Sequence, residues 1–249
     1  MKINRIIGLI GFGHLGKSIV EHLQPKLEGD RLLVSVDRKH NKEIARKSDI
    51  LFLTVRPTHI LKLLDEIRGD IAKGAVIISF MAAVPADFIA RGIPNTVIRA
   101  MTDIHLRQII SVENETAVSV LSKISKNPLL KTKKEGDIDA FTVLVGCLPG
   151  ICAWQFANNP HAEKWLKDYA FFVESKLGVP YTVTLEIIDE VRRKGDFQST
   201  IATVATKGGV TECLLQVLTS HGKITFPELF IAGMEKISEL ADLLIGSHK

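Results

Sequence analysis

An apolar run, Ile6-Ile7-Gly8-Leu9-Ile10, passes directly into Gly11-Phe12-Gly13-His14-Leu15-Gly16, and a helical pattern follows without a spacer. A strand that turns into a helix through glycines spaced G-x-G-x-x-G leaves few architectures open. The first glycine suits a tight turn, the second lets the backbone approach a bulky anion, and the third lets helix and strand pack closely. The first N–H groups of a helix have no acceptor within it, and its dipole adds partial positive charge there, so such a turn suits a phosphate. The spacing alone arises by chance. Its place after a buried strand and before a helix is what gives it weight.

The rest of the first half keeps the same alternation. Apolar, β-rich runs at 5–10, 31–36, 50–55, 75–80, 96–100 and 109–112 are separated by segments of helical period at 15–23, 58–67 and 85–90. Runs such as Val76-Ile77-Ile78 and Ile50-Leu51-Phe52-Leu53 are apolar on both faces, as parallel strands covered on both sides are. A helix near 116–125 and a strand near 129–132 complete a Rossmann-type, doubly wound parallel sheet over residues 1–136. From residue 137 to 249 the pattern becomes wholly helical, with segments at 138–156, 161–177, 183–194, 197–205, 210–220 and 226–245. The expected fold is therefore α/β, with a dinucleotide-binding domain followed by an all-helical domain.

Composition removes several function classes. The net charge is +4, and the thickest basic run, Lys131-Thr132-Lys133-Lys134, has no interleaved aromatic residue and runs into Glu135 and Asp137. Nucleic acid is not an expected partner. Cys147, Cys152 and Cys213 have neither zinc-type spacing nor a disulfide framework, so no metal is expected. Ile6–Ile10 is too short for a secretory core, and no uninterrupted apolar stretch reaches the roughly 18 residues of a membrane span. The expectation is a cytoplasmic protein without a membrane partner.

The cofactor expected at Gly11, Gly13, His14, Leu15 and Gly16 is NADP or NAD. Asp37 ends the second strand, where a carboxylate bonds ribose hydroxyls and repels a 2′-phosphate, yet Arg38 and Lys39 follow and could clamp that phosphate. The two signals oppose each other, and the choice stays open. Thr54-Val55-Arg56-Pro57 ends the third strand, where loops line the cofactor crevice, and Arg56 reads either as a phosphate or ribose contact or as a surface arginine. A second glycine turn, Thr206-Lys207-Gly208-Gly209-Val210-Thr211, opens a helix. It reads as an ordinary helix N-terminus or as a cradle for a small carboxylate.

The order of these parts resembles the pyrroline-5-carboxylate reductases. Beyond the glycine motif, Phe52-Leu53-Thr54-Val55-Arg56-Pro57 is similar to that family's apolar strand ending in Lys-Pro, and Ile77–Pro85 to its Val-Ile-Ser-x-Ala-Ala-Gly-Val segment. Val97-Ile98-Arg99-Ala100-Met101 resembles its Arg-x-Met, and Asp139–Thr142 with Gly146–Pro149 its Asp-Ala-x-Thr and Gly-Ser-Gly-Pro pair. The Gly208-Gly209 turn is similar to its Ser-Pro-Gly-Gly-x-Thr. The resemblance implies hydride transfer to the C=N carbon of a cyclic imine carboxylate. It implies a carboxylate on the amides of Gly208, Gly209 and Val210, Met101 near the substrate, and the Thr211 hydroxyl near the ring nitrogen as the catalytic group. It also implies a homodimer, or a higher homo-oligomer, formed through the helical half.

The chain departs from that pattern at His14-Leu15, where the family usually has Asn-Met, in the respaced C-terminal half, and most seriously at two further segments. Thr102-Asp103-Ile104-His105 stands where the family has Pro-Asn-Thr-Pro, so a carboxylate replaces an amide and would repel a substrate carboxylate if it points inward. Cys147-Leu148 replaces Ser-Gly, removing a hydroxyl and adding bulk. A reductase of another imine or carbonyl, or a non-catalytic dinucleotide-binding protein, are the alternatives these changes leave.

Overall fold

The computed structural model describes residues 4–221 and 224–246. The chain divides into two compact units, the first taking residues up to Glu135 with the last residues from Leu244, the second Gly136–Leu243.

The first unit is a seven-stranded sheet. Its strands are β1 (Ile6–Ile10), β2 (Arg31–Ser35), β3 (Ile50–Leu53), β4 (Val76–Ser79), β5 (Thr96–Thr102), β6 (Ile109–Val112) and β7 (Leu130–Thr132), in the spatial order 2-1-3-4-5-6-7. All neighbours are parallel except β5 and β6. The strand order reverses beside β1, which places the crevice of a doubly wound sheet outside the carboxyl ends of β1, β2 and β3. The helices are α1 (His14–Leu23), α2 (Asn41–Lys47), α3 (Ile60–Ile67), α4 (Ala86–Ala90) and α5 (Glu115–Ile124). Two apolar layers sandwich the sheet. Ile19, Leu23, Ile7, Leu9 and Phe52 belong to one; Leu51, Leu53, Ile60, Leu63 and Ile67 belong to the other. Thus β3 is buried on both faces, as its unbroken apolar sequence requires.

One helix escapes the sequence pattern. In Asn41–Lys47 only Ile44 and Ala45 are apolar and buried, too few to show a period beside Arg38, Lys39, Lys42, Arg46 and Lys47.

In the second unit, α6 (Glu135–Phe141) passes through a π-helical turn, Thr142–Gly146, into α7 (Leu148–Asn158). It continues through α8 (Ala162–Leu177), α9 (Tyr181–Lys194), α10 (Phe197–Val204), α11 (Val210–Ser220) and α12 (Phe226–Gly246). Leu148, Ile151, Cys152, Ala153 and Gln155 are all buried, so α7 is covered on every side, and α8, α9, α10 and α11 pack against it. The continuous helical stretch Glu135–Asn158 is long and apolar enough to cross a membrane on length and composition, although polar residues such as Asp139 and Thr142 interrupt it. Its most apolar part is largely buried, as in the core helix of a globular unit.

Candidate functional site

Three glycines of the first turn serve three different needs. Gly11 has φ +111°, and a Cβ there would lie 2.6 Å from the Thr54 carbonyl carbon, so both backbone angle and space exclude a side chain. Thr54 holds the turn in place, its Oγ1 donating to the Gly11 carbonyl at 2.6 Å and its N–H to the Ile10 carbonyl at 2.9 Å. At Gly16 a Cβ would meet the Gly11 carbonyl oxygen at 2.1 Å, so this glycine answers to helix–strand packing. Gly13 is unlike both. It caps α1 at φ −82°, an angle any residue adopts, and a Cβ on it would meet nothing within 4 Å. Nothing in the protein's own packing calls for glycine here. The turn leaves room there for a ligand, and the first-turn amides of α1 suit a pyrophosphate.

A cavity of about 310 Å³ runs from this turn along the ends of β2 and β3 to the start of α3. Gly11, Phe12 and Gly13 form one end; Asp37, Arg38, Thr54, Val55 and Arg56 line the middle. Arg38 and Arg56 are exposed, and neither has an ion-pair partner among the described residues. Asp37 is occupied locally. Its Oδ1 accepts from the Lys39 N–H at 3.1 Å and lies 2.8 Å from His40 Nδ1, capping the short turn Arg38–His40. The opposition between Asp37 and Arg38 in the sequence is thereby eased, because the carboxylate is tied to its own turn.

Not every residue proposed from sequence lines the cavity. His14 is exposed at the start of α1, Lys39 is exposed on the Asp37 turn, and Pro57 opens the short helical turn Pro57–His59. Leu15 packs toward the apolar layer, leaving only its backbone to the turn. Lining residues that went unnoticed in the sequence include Ser35, Val36, Asn41, His59, Lys62 and Glu66. The last three recur at i, i+3 and i+7 on the segment leaving β3, and that spacing on the polar side of a helix following a crevice strand was the available signal.

The second turn has its own geometry within the helical unit. Gly208 has φ +73°, and its N–H donates to Glu212 Oε2 at 2.7 Å. Gly209 caps α11, its N–H donates to the Thr206 carbonyl at 2.9 Å, and a Cβ on it would strike Thr206 Oγ1 at 2.4 Å. Val210 and Thr211 begin α11 and are buried. The Thr211 hydroxyl donates to Cys147 Sγ at 3.3 Å, and its methyl lies against Gly150, where a Cβ would stand 2.6 Å from it. The π-helical turn, in which the Cys147 N–H reaches back to the Thr142 carbonyl at 3.0 Å, sets the register that brings Cys147 and Gly150 to Thr211. Close approach is therefore supplied by Gly150, not at Leu148, which is buried. Burial pushes the Cys147 thiol up to about 12, so it stays neutral.

Asp103 resolves one of the departures. It is completely buried and accepts N–H bonds from His105 at 2.9 Å, Arg107 at 2.8 Å and Gln108 at 3.1 Å. Burial pushes its pKa up against those donors, which pull it down. This carboxylate organises the β5–β6 connection. Met101 is buried on β5, paired in register with Ile110. Among the described residues no cluster of three or more His, Cys, Asp or Glu could hold a metal.

Comparison with known proteins agrees with this frame. Residues 25–83, which carry β2 to Ala83 beyond β4, match the family model described as NADP oxidoreductase coenzyme F420-dependent. Pyrroline-5-carboxylate reductase 3 of Bacillus subtilis is 23% identical over 276 residues, covering 95% of this chain and 97% of that protein. The chain is thus similar to that reductase along nearly its whole length. Two solved structures share its fold. The pyrroline-5-carboxylate reductase of Coxiella burnetii superposes with TM-score 0.54 at 19% identity, covering 97% of this chain and 99% of that one. The pyrroline carboxylate reductase of Plasmodium falciparum, described with NADP bound, gives 0.55 at 16% identity over 96% and 98%.

Proposed function

We propose that the chain is an NAD(P)H-dependent reductase acting on the C=N bond of a small cyclic imine, with 1-pyrroline-5-carboxylate as substrate and proline as product. The observation that carries it is Gly13, a glycine in a pinned turn that the protein's own packing leaves open, within a chain that resembles those reductases along nearly its whole length. The α1 amides would hold the pyrophosphate, with Arg56 beside them, and Arg38 would meet a 2′-phosphate at the end of β2. The capped Asp37 and the NADP oxidoreductase match over residues 25–83 favour NADP.

The bound nucleotide supplies the hydride. A protonated imine is already electrophilic, so the chain needs chiefly to orient it, and no charged acid–base pair is required. The Thr211 hydroxyl donates its hydrogen bond to Cys147 Sγ, which leaves its oxygen lone pairs as what it can offer. They would accept from the N–H of the protonated imine, and the neutral thiol keeps the hydroxyl turned that way. The assembly that goes with this reading is a homodimer through the helical unit, supported by its exposed apolar side chains Phe171, Ile231 and Leu243.

Mixing the protein with NADPH and 1-pyrroline-5-carboxylate and following the nicotinamide absorbance tests the reading. Thr211→Val should lower kcat/KM roughly 10- to 100-fold, the scale of a hydrogen bond to a charged group, with the NADPH Kd unchanged. Nucleotide binding without turnover on any small imine would leave a binding protein and not an enzyme.

One observation favours a second substrate. The Glu212 carboxylate already sits on the Gly208 N–H, where a substrate carboxylate would come, and two carboxylates at that distance repel. An imine lacking the carboxylate, such as 1-pyrroline, avoids that conflict. A higher kcat/KM for 1-pyrroline than for its 5-carboxylate would select this second reading.

A further inference from the structure

The nucleotide cavity carries a polar pair that phosphate binding leaves unused. Lys62 and Glu66 stand one turn apart on α3, a spacing that sets both on one helix face, and both line the cavity with Val36. Glu66 is held in place. Asn41, only 3% exposed, donates from Nδ2 to Glu66 Oε2 at 3.3 Å. The Ser35 hydroxyl lies 2.6 Å from Asn41 Oδ1 and 2.6 Å from the Asp37 carbonyl, sharing its one hydrogen between two acceptors. That contact marks the oxygen end of the Asn41 amide and turns its nitrogen toward the carboxylate. A chain of hydrogen bonds therefore runs from buried β2 to a carboxylate in the cavity wall, with Oε1 left to accept from a ligand. Val36, 71% exposed where β2 ends, offers an apolar surface to a flat ring in the same cavity.

Resting on the nucleotide reading above, we infer that Glu66 and Lys62 select the base of the cofactor by reading the edge of adenine. The 6-amino group donates to Glu66 Oε1, and the neighbouring ring nitrogen accepts from the Lys62 ammonium. A 6-oxo purine presents the reverse order, an oxygen against the carboxylate and a ring N–H against the ammonium. Both protein groups then lose their partners, and an unpaired polar group in a binding site costs more than a missing contact.

The test compares binding of NADPH with that of its 6-oxo analogue, reduced nicotinamide hypoxanthine dinucleotide phosphate, by nicotinamide fluorescence. The wild type should favour NADPH by roughly tenfold or more. Glu66→Gln keeps an oxygen for Asn41 and can turn an amide N–H toward the 6-oxo group, so the preference should fall to near unity. Glu66→Ala and Lys62→Met should each shrink it as well. An undiminished preference in both Glu66 variants, or no preference in the wild type, overturns the inference while leaving the nucleotide reading intact. If the wild type binds neither nucleotide, the nucleotide reading fails, and this assignment fails with it.

Discussion

Gly13 and Gly209 are matched positions with opposite surroundings. Each is the last residue of a glycine turn and caps the helix that follows, at φ −82°, ψ −161° for Gly13 and φ −85°, ψ 175° for Gly209. Neither helix has a side-chain cap at that residue. Around Gly13 the space is open, and farther along the same cavity stand Arg38 and Arg56, which have no ion-pair partner among the described residues. Around Gly209 the chain has filled the space with itself: Thr206 crowds the glycine, Glu212 takes the Gly208 N–H, and Thr211 is buried against Cys147 and Gly150. A helix N-terminus has the same amides and the same dipole wherever it occurs. What makes one an anion site is that the chain leaves it unsatisfied.

The same substitution at the two positions should therefore fail in different ways. Gly13→Ala places a methyl where the ligand would lie, and steric intrusion of about 1–3 kcal/mol should weaken NADPH binding roughly 10- to 100-fold. Its stability should fall by no more than about 1 kcal/mol, the cost of a poorer cap. Gly209→Ala should lower stability by about 1–3 kcal/mol in denaturant melts, because its Cβ meets Thr206 Oγ1 at 2.4 Å, and NADPH affinity should stay as it was. If both variants lose stability and keep affinity, the contrast between the turns is broken.

Asp103→Asn bears on whether the departure from the reductase pattern at Asp103 is structural. An amide keeps one acceptor and sets its NH2 against one of the three backbone N–H groups now bonded. The expected loss is about 1–2 kcal/mol of stability, read from the urea midpoint, with no gain in turnover of a carboxylate substrate. A stable variant with a lower KM would instead place this side chain at the substrate.

The sheet was readable because buried parallel strands announce themselves as unbroken apolar runs, and the glycine turn because its spacing is tied to its neighbours. The start of α5, expected near residue 116, lies at Glu115, where the Asn114 side chain accepts from the Ala117 N–H at 3.0 Å. Less legible were features made by contacts distant in sequence. Asn41 reads as part of a basic linker until the fold brings Glu66, 25 residues on, to its amide. Asp103 reads as a charge near a pocket until its own loop folds over it. Nothing in the spacing of Gly146-Cys147-Leu148-Pro149-Gly150 predicts a π-helical turn, and without that turn the pairing of Thr211 with Cys147 is invisible.

Glu212 gives the smallest change and the finest distinction between the turns. Its carboxylate lies at the helix N-terminus, where negative charge is favourable by about 0.3–1 kcal/mol at an exposed position, and its bond to the Gly208 N–H adds to that within a turn already crowded. Glu212→Ala should therefore cost only about 1 kcal/mol of stability while making the second turn resemble the first, with an N–H left unpaired. If that turn takes the substrate carboxylate, the vacated N–H and the removed repulsion should lower the KM for 1-pyrroline-5-carboxylate several-fold and leave that for 1-pyrroline unchanged. An equal change for both imines would mean that Glu212 acts through the helix alone. In that case the second turn is a closed cap, and the carboxylate is held elsewhere.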